Sequence, residues 1–373
     1  MLRGGGDVAM IGRCEGAFEG VYIQEEHERR EGVKGSAMSL TMDMSHEFEV
    51  AVTAVQAAKS VCRQVQRDLV DGHAMDKQDK SPVTVADYAS QALICGVMGE
   101  SFEGIAIVGE EDAEDLRKEE NAGIRGMVVE QVNGMLEEGV SEADVLRWID
   151  FGNAEPSEHE RYWTLDPIDG TKGFLRKQQY AIALGQIFKG EVVMGILGCP
   201  NMDILDEDAA KPSGLLITAI RGQGACMVAM DQQVGDAVPL RVSEVSELKD
   251  ARLCESVESG HSDQSTSGEI AKRLGIVKEP YRIDSQCKYA AIARGDAEVY
   301  LRLPTRKDYE EKIWDHAAGM IAVEEAGGVV TDIYGKKLDF GKGKTLSANR
   351  GIVATNGRFH NEVVKVVGEV LGL

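Results

Sequence analysis

The stretch Trp163-Thr164-Leu165-Asp166-Pro167-Ile168-Asp169-Gly170-Thr171 runs from an apolar strand straight into a loop of carboxylates. Proline fixes a bend after Asp166. Asp166 and Asp169, three positions apart, can then face one point, and so can the Ile168 carbonyl. Gly170 lets the backbone come close to a bound oxyanion. Thr171 adds a hydroxyl able to orient a water. Hard oxygen ligands of this kind select magnesium rather than zinc. A phosphate ester facing two metals ~4 Å apart is set up for in-line displacement. The same residue pattern also makes an ordinary surface turn, so the segment needs partners elsewhere.

Three further acidic positions sit after a strand or near a helix start: Asp87, Glu110 and Asp315. Sites gather at such places. Carboxylates brought into one pocket raise each other's pKa, and cations relieve that repulsion. Each position also has a plainer explanation. Asp315 can be an N-cap, Glu110-Glu111-Asp112 a solvated charge run, and Asp87 a first-turn dipole partner. On the residues alone, these alternatives stay open.

The 373 residues suffice for two compact domains. No run approaches the ~18 apolar residues of a membrane span. A net charge of -22 works against binding a nucleic-acid polymer but not against a small anion beside bound cations. Cys14, Cys62, Cys95, Cys199, Cys226, Cys254 and Cys287 form no CxxC pair and are expected to be reduced and buried. Residues 1–43 are Gly-rich, then charged, and are expected to be a disordered extension. That segment lacks the apolar core of a secretory signal and is too acidic for a transit peptide. A start codon placed too early would also explain it. The default compartment is the cytosol, with a plastid or mitochondrion as alternatives, and the expected state is a monomer.

Apolar spacing predicts helices over 46–70 and from Ser81 to about Phe102, then a strand over 105–108. The acidic stretch that follows is predicted helical around 124–136. Strands over 162–165, 180–188, 191–198, 215–220 and 225–230 form an antiparallel meander closed by the Arg221–Gly224 hairpin. Beyond about 240, strands at 252–256, 281–283 and 298–303 alternate with helices near 268–274, 288–294, 315–326 and 361–373. Gly327 suits a helix C′ position. The expected division is an extension (1–43), an N-terminal metal-binding domain (44–240) and a C-terminal nucleotide-binding domain (241–373).

Four motifs, in order, resemble the lithium-sensitive, magnesium-dependent phosphatase superfamily of inositol monophosphatase-like enzymes. They are Ser81-Pro82-Val83-Thr84-Val85-Ala86-Asp87, Val108-Gly109-Glu110-Glu111, Asp166-Pro167-Ile168-Asp169-Gly170-Thr171 and Trp314-Asp315-His316-Ala317-Ala318-Gly319. Within that superfamily, Lys172-Gly173-Phe174-Leu175-Arg176 after the Gly-Thr is similar to the eukaryotic 3′(2′),5′-bisphosphate nucleotidases. Ile149-Asp150-Phe151-Gly152-Asn153, Ser256-Val257-Glu258-Ser259-Gly260-His261-Ser262, Asp284-Ser285-Gln286-Cys287-Lys288-Tyr289 and Val299-Tyr300-Leu301-Arg302-Leu303-Pro304 point the same way. The loop Glu155-Pro156-Ser157-Glu158-His159-Glu160 departs from those relatives, which are rich in glycine and basic residues there.

The resemblance implies an α/β (α+β) layered sandwich of alternating helix and sheet layers, with two domains and the metal site between them. It implies two magnesium ions and leaves room for a third, weaker one near Asp87 and Glu110. Glu110, Asp166 and the Ile168 carbonyl would hold the first ion; Asp166, Asp169 and Asp315 the second. Asp87 and Thr171 would activate the attacking water. Gly170, Thr171, His261, Ser285, Lys288, Arg302 and Asp315 would hold the substrate. The implied reaction removes the 3′-phosphate of the small-molecule adenosine bisphosphate 3′-phosphoadenosine 5′-phosphate, giving AMP. The sulfated analogue, 3′-phosphoadenylyl sulfate, is an implied second substrate. Rival expectations are an inositol phosphate phosphatase of the same superfamily and a non-catalytic metal- or nucleotide-binding regulator. Lys342-Gly343-Lys344-Thr345 is similar to the end of a P-loop, but Leu338 stands where the first glycine is required.

Overall fold

The structure, a computed structural model, describes residues 34–70, 81–203, 213–257, 264–304, 306 and 309–373; for 34–44, 69–70, 81–82 and 264 it describes the backbone alone. Helices α1 (Lys34–Val65) and α2 (Ser81–Ser101) come first, then strand β1 (Ile107–Gly109), α3 (Ala122–Met135) and α4 (Glu142–Asp150). Next are β2 (Arg161–Asp169), the short α5 (Thr171–Leu175), β3 (Ala181–Phe188), β4 (Glu191–Cys199), β5 (Leu215–Ile220), β6 (Gly224–Ala229) and β7 (Val238–Pro239). The last third holds β8 (Leu253–Glu255), α6 (Gln264–Leu274), β9 (Tyr281–Arg282), α7 (Cys287–Arg294), β10 (Val299–Arg302), α8 (Ala317–Glu325), β11 (Val329–Thr331), β12 (Ile352–Thr355) and α9 (His360–Leu371).

The first sheet runs β1 to β7 in sequence order, and the second runs β11-β12-β10-β8-β9. Successive residues of a strand face opposite sides of its sheet, and the buried clusters follow that alternation. Trp163, Leu165, Ile182 and Leu184 pack with Val55, Leu93 and Trp148 of the first helices. Tyr162, Ala181 and Ala183 pack instead with Ala290, Ala317 and Ile321 of α7 and α8, together with Tyr300 and Ile352 of the second sheet. Val299, Leu301 and Val353 face α6 and α9 through Ile270, Leu274, Val363 and Val367. The layers are therefore helices, sheet, helices, sheet, helices, which is the α/β layered sandwich expected from the resemblance.

Helix α8 lies in the middle layer, and every residue from Ala317 to Val323 is buried, as a helix apolar on all sides requires. It crosses β3 and β4 at two glycines. A Cβ on Gly195 would lie 2.5 Å from Ile321 Cγ2, and one on Gly185 would lie 2.8 Å from Ala317 Cβ.

Several expectations are corrected. The first helix begins at Lys34 rather than near Met44, and it turns into a π-helix over Gln66–Val70. No proline interrupts 36–43, and propagating a helix is cheap once it is nucleated. Residues 1–33 lie outside the described residues. Helix α4 was not foreseen, although Ser141 and Asp144 make a reciprocal capping box at its start. Strands β11 and β12 were also missed. The expected Asp-Pro loop is strand: β2 continues through Asp169 and bends there instead of ending at Leu165.

His360, at the start of α9, is buried between Thr331 Oγ1 (2.9 Å from Nε2) and Thr355 Oγ1 (3.0 Å from Nδ1). Burial pushes its pKa down from 6.5 to about 4. The unfolded chain then binds the proton more readily, so this contribution to stability is present above pH 6.5 and is lost as the pH falls from there toward 4. The loss is at most about 3 kcal/mol. Urea midpoints at pH 7.5 and pH 5 should fall less in His360→Gln than in the wild type; an equal fall would show that another group titrates.

Candidate functional site

The pairing of β2 with β3 explains how two aspartates three positions apart share a face. Asp166 pairs with Ala183 and Asp169 with Ala181, so β2 carries one extra residue between them. In a regular strand, residues i and i+3 point to opposite faces. The bulge adds one residue and restores the same face. Pro167 sits within it, where no ladder N–H is needed. Ser90 of α2 donates to the Pro167 carbonyl (3.1 Å), and the Ile168 N–H donates to Asp166 Oδ1 (3.1 Å). Gly170 follows with φ +96°, and a Cβ there would lie 2.9 Å from Ser285 Cβ. α5 starts at Thr171.

This turn forms one wall of a cavity of about 440 Å³. Glu110, Asp166, Ile168, Asp169, Gly170, Thr171, Ser285, Lys288, Arg302 and Asp315 all line it. Ten of the residues singled out by sequence thus meet in one place. Asp87 does not line the cavity. It lies past the first turn of α2, where its charge interacts with Glu110 and Glu111. His261 lies outside the described residues. Asp315 is not an N-cap: His316 holds that position in α8, and the Asp315 carboxylate accepts from Arg302 Nη2 at 3.3 Å.

The carboxylates are held against their own repulsion. Burial, then the charges of Glu111 and Glu110, push the Asp87 carboxyl well above its usual range. Burial, then Glu110 and Asp169, do the same to Asp166. Burial, then Asp315, raise Glu110 to about 8. Burial, then Asp315, raise Asp169 to about 6, against the opposing pull of Lys288 and Arg302. A cluster with this much destabilised negative charge fits hard divalent cations. Among the described residues, the group whose ligand atoms all lie within 4.8 Å of one another is Glu311, Asp315 and His316. Two of its members are already engaged: Glu311 pairs with Arg302 Nε (2.7 Å) and His316 Nε2 (3.2 Å). Asp315 pairs with Arg302 Nη2 at 3.3 Å, while its charge is also the largest one acting on Glu110 and Asp169.

Two cations line the same cavity. Lys288 is buried with its ammonium over the Tyr300 ring at 5.4 Å, and burial pulls its pKa down. The charges of Glu311 and Asp315 outweigh burial on Arg302 and raise its already high pKa further. Ser285 has a positive φ of 63° and donates from Oγ to the Asp284 carbonyl (2.6 Å).

Sequence reasoning missed the residues that hold these groups in place. The Gln286 backbone N–H donates to Asp169 Oδ2 at 2.6 Å. Its side chain donates to the Trp314 carbonyl (2.8 Å) and accepts from the Gly319 N–H (3.0 Å), tying Asp169 to the turn that carries Asp315. Gln91, one turn after Asp87, bonds both the N–H (3.1 Å) and the carbonyl of Glu111. Gly109 and Gly152 leave room for it, since a Cβ on either would lie within 2.6 Å of its amide. Arg176 pairs with Asp284 (2.6 Å), which also accepts from the Val257 N–H. Gln286, Asp284, Arg176 and Val257 lay inside quoted motifs, whereas Gln91 had no sequence signal.

A model of the inositol monophosphatase family matches residues 43–371. The chain belongs to that family. A 3′(2′),5′-bisphosphate nucleotidase of Schizosaccharomyces pombe is 40% identical over 88% of this chain and 97% of its own length. One from Oryza sativa is 42% identical over 87% and 94%. An inositol monophosphatase from Anabaena shares the fold, with a TM-score of 0.57 at 20% identity, covering 88% of this chain and 97% of that one. Thermotoga maritima inositol monophosphatase gives 0.56 at 21%, covering 87% and 98%. Inositol monophosphatase family members are metal-dependent phosphatases, and the carboxylate cluster is the part of this member whose chemistry meets that requirement. No helix among its described residues is long and apolar enough to cross a membrane. Cys62, Cys95, Cys199, Cys226, Cys254 and Cys287 are buried free thiols, as expected.

Cation binding must displace protons from carboxyls whose pKa values are raised to about 6 and about 8. Apparent magnesium affinity should therefore rise as the pH goes from 6 to 8. Isothermal titration calorimetry in buffers of different ionisation enthalpy would show proton release. A flat affinity profile over this interval would contradict the cluster's role.

Proposed function

We propose that this chain hydrolyses the 3′-phosphate of 3′-phosphoadenosine 5′-phosphate to AMP and phosphate, and acts on 3′-phosphoadenylyl sulfate as a second substrate. The observation that carries the reading is one cavity lined both by the carboxylates Glu110, Asp166, Asp169 and Asp315 and by the cations Lys288 and Arg302. Such a cavity suits a molecule with two anionic groups at its ends, one for the carboxylates through cations and one for Lys288 and Arg302 directly. The names of the relatives at 40% and 42% identity support the same substrate class.

Glu110, Asp166, Asp169, Asp315 and the Ile168 carbonyl would hold two magnesium ions, with a third, weaker site near Asp87 and Glu110. Bound magnesium supplies positive charge to the phosphoryl oxygens and acidifies a water. The Thr171 hydroxyl orients the attacking water on the cavity side. Asp87, made a stronger base by burial and by its acidic neighbours, stands outside the cavity and would take the proton through the Thr171 hydroxyl. Gly170 lets the backbone approach the phosphoryl group, while Ser285, Lys288, Arg302 and His261 hold the rest of the nucleotide. The bond from phosphorus to the 3′-oxygen breaks, and that oxygen takes a proton from solvent. The residues proposed to hold metal come from both sides of the proposed boundary at about residue 240. Glu110, Asp166 and Asp169 come from 44–240, and Ser285, Lys288, Arg302 and Asp315 from 241–373.

Phosphate release from the adenosine bisphosphate should require magnesium and be inhibited by lithium. Asp169→Asn should abolish it, with a cost of at least about a hundredfold in kcat, while leaving the fold intact. Retained turnover would contradict the metal assignment, and a clear preference for inositol phosphates in the same assay would overturn the substrate. Arg302→Ala should lower kcat/KM for the adenosine bisphosphate about tenfold more than for p-nitrophenyl phosphate. Equal losses would remove Arg302 from substrate selection.

A further inference from the structure

A buried chain of polar contacts stands behind Arg302. The Tyr289 hydroxyl meets His316 Nδ1 at 2.8 Å, and His316 Nε2 meets Glu311 Oε2 at 3.2 Å. The same Glu311 oxygen pairs with Arg302 Nε at 2.7 Å. His316 is fully buried, and Glu311 is 5% exposed. The remaining end of the guanidinium, Nη2, reaches Asp315 Oδ2 at 3.3 Å and the Tyr309 hydroxyl at 3.4 Å, both on the cavity wall. Arg302 is thus gripped from behind by one carboxylate and touches a second in front.

The two contacts differ in kind. Glu311 is fixed by His316, and its Nε contact is short. Asp315 is held by a longer contact, and it is a carboxylate needed elsewhere, because the neighbouring Asp166 and Asp169 call for cations. A guanidinium released from Glu311 would keep both its amino groups for Asp315, the only other carboxylate paired with it among the described residues. It would then neutralise Asp315 and compete with a divalent cation for it.

We propose that Glu311, locked by His316 and Tyr289, is a positioning residue that keeps Arg302 facing the nucleotide and limits its hold on Asp315 to the one long contact. The part concerning the nucleotide rests on the function proposed above; the part concerning Asp315 does not. Removing the Glu311 charge has two separate effects: weaker selection of the nucleotide, and weaker magnesium binding with no substrate present.

Glu311→Gln, Arg302→Ala and the double variant test both. With magnesium alone, calorimetry should give about tenfold weaker binding in Glu311→Gln, recovered in the double variant because the competing guanidinium is gone. Unchanged binding in Glu311→Gln, or no recovery in the double variant, would overturn the role toward Asp315. In kinetics, Glu311→Gln should raise KM for the adenosine bisphosphate about tenfold more than KM for p-nitrophenyl phosphate, with a smaller change in kcat. The double variant should be no worse than Arg302→Ala alone. If Arg302→Ala discriminates between substrates and Glu311→Gln does not, the positioning role is wrong. If Arg302→Ala itself fails to discriminate, the nucleotide assignment falls, and the magnesium titration still decides the rest. Should Glu311→Gln not fold, Glu311→Asp keeps the charge at shorter reach, and the same two shifts should appear at reduced size; no shift in either would overturn the inference.

Discussion

A carboxylate moved from water into a protein interior loses several kcal/mol of hydration, and a neighbouring carboxylate adds to the cost. This molecule collects such groups. The β2 bulge brings Asp166 and Asp169 to one face, α2 and the turn after β1 bring Asp87 and Glu110 beside them, and the turn before α8 brings Asp315. No isolated loop could keep them together. Each is tied to a layer of the sandwich, and the layers are stabilised by apolar clusters that leave the carboxylates no room to separate.

The fixing bonds are mostly to backbone. Gln91 grips the Glu111 peptide on both sides, and Gln286 spans the Trp314 carbonyl and the Gly319 N–H while its own N–H holds Asp169. Buried amides suit this work because they carry donor and acceptor together and add no charge to an overcharged place. The ionic contacts gather around Arg302. There Glu311 stays ionised although burial would raise its carboxyl, because the His316 contact and the Arg302 charge outweigh burial.

The repeating parts of this fold could be read from the sequence. The meander from β3 to β6 follows from apolar runs separated by turn residues, and α2, α7 and α8 follow from helical spacing. Asp166, Asp169, Glu110 and Asp315 were visible because the chemistry demands their residue types in a set order. What could not be read depends on partners far along the chain. The bulge at Asp166–Asp169 is defined by Ala183 and Ala181, which no local pattern links to it. Gln91 looks like any polar residue in a helix until Glu111 and Ile149 are placed around it. Glu311 looks like part of a charge run, and its meaning comes from Arg302 and His316.

The middle layer has a consequence for the cavity. α8 meets the first sheet through Ala317, Ala318 and Ile321 at Gly185 and Gly195, with backbone and side chains in close contact. On its other flank a Cβ at Gly319 would strike the Tyr289 ring at 2.4 Å. The helix is as slender as its small residues allow, and it acts as the spacer between the two sheets. Asp169 belongs to one sheet and Arg302 to the other. A bulkier residue at Gly185 or Gly195 would therefore act as a shim that pushes α8 off the first sheet, whereas one at Gly319 would press directly on the Tyr289 ring, which lines the cavity.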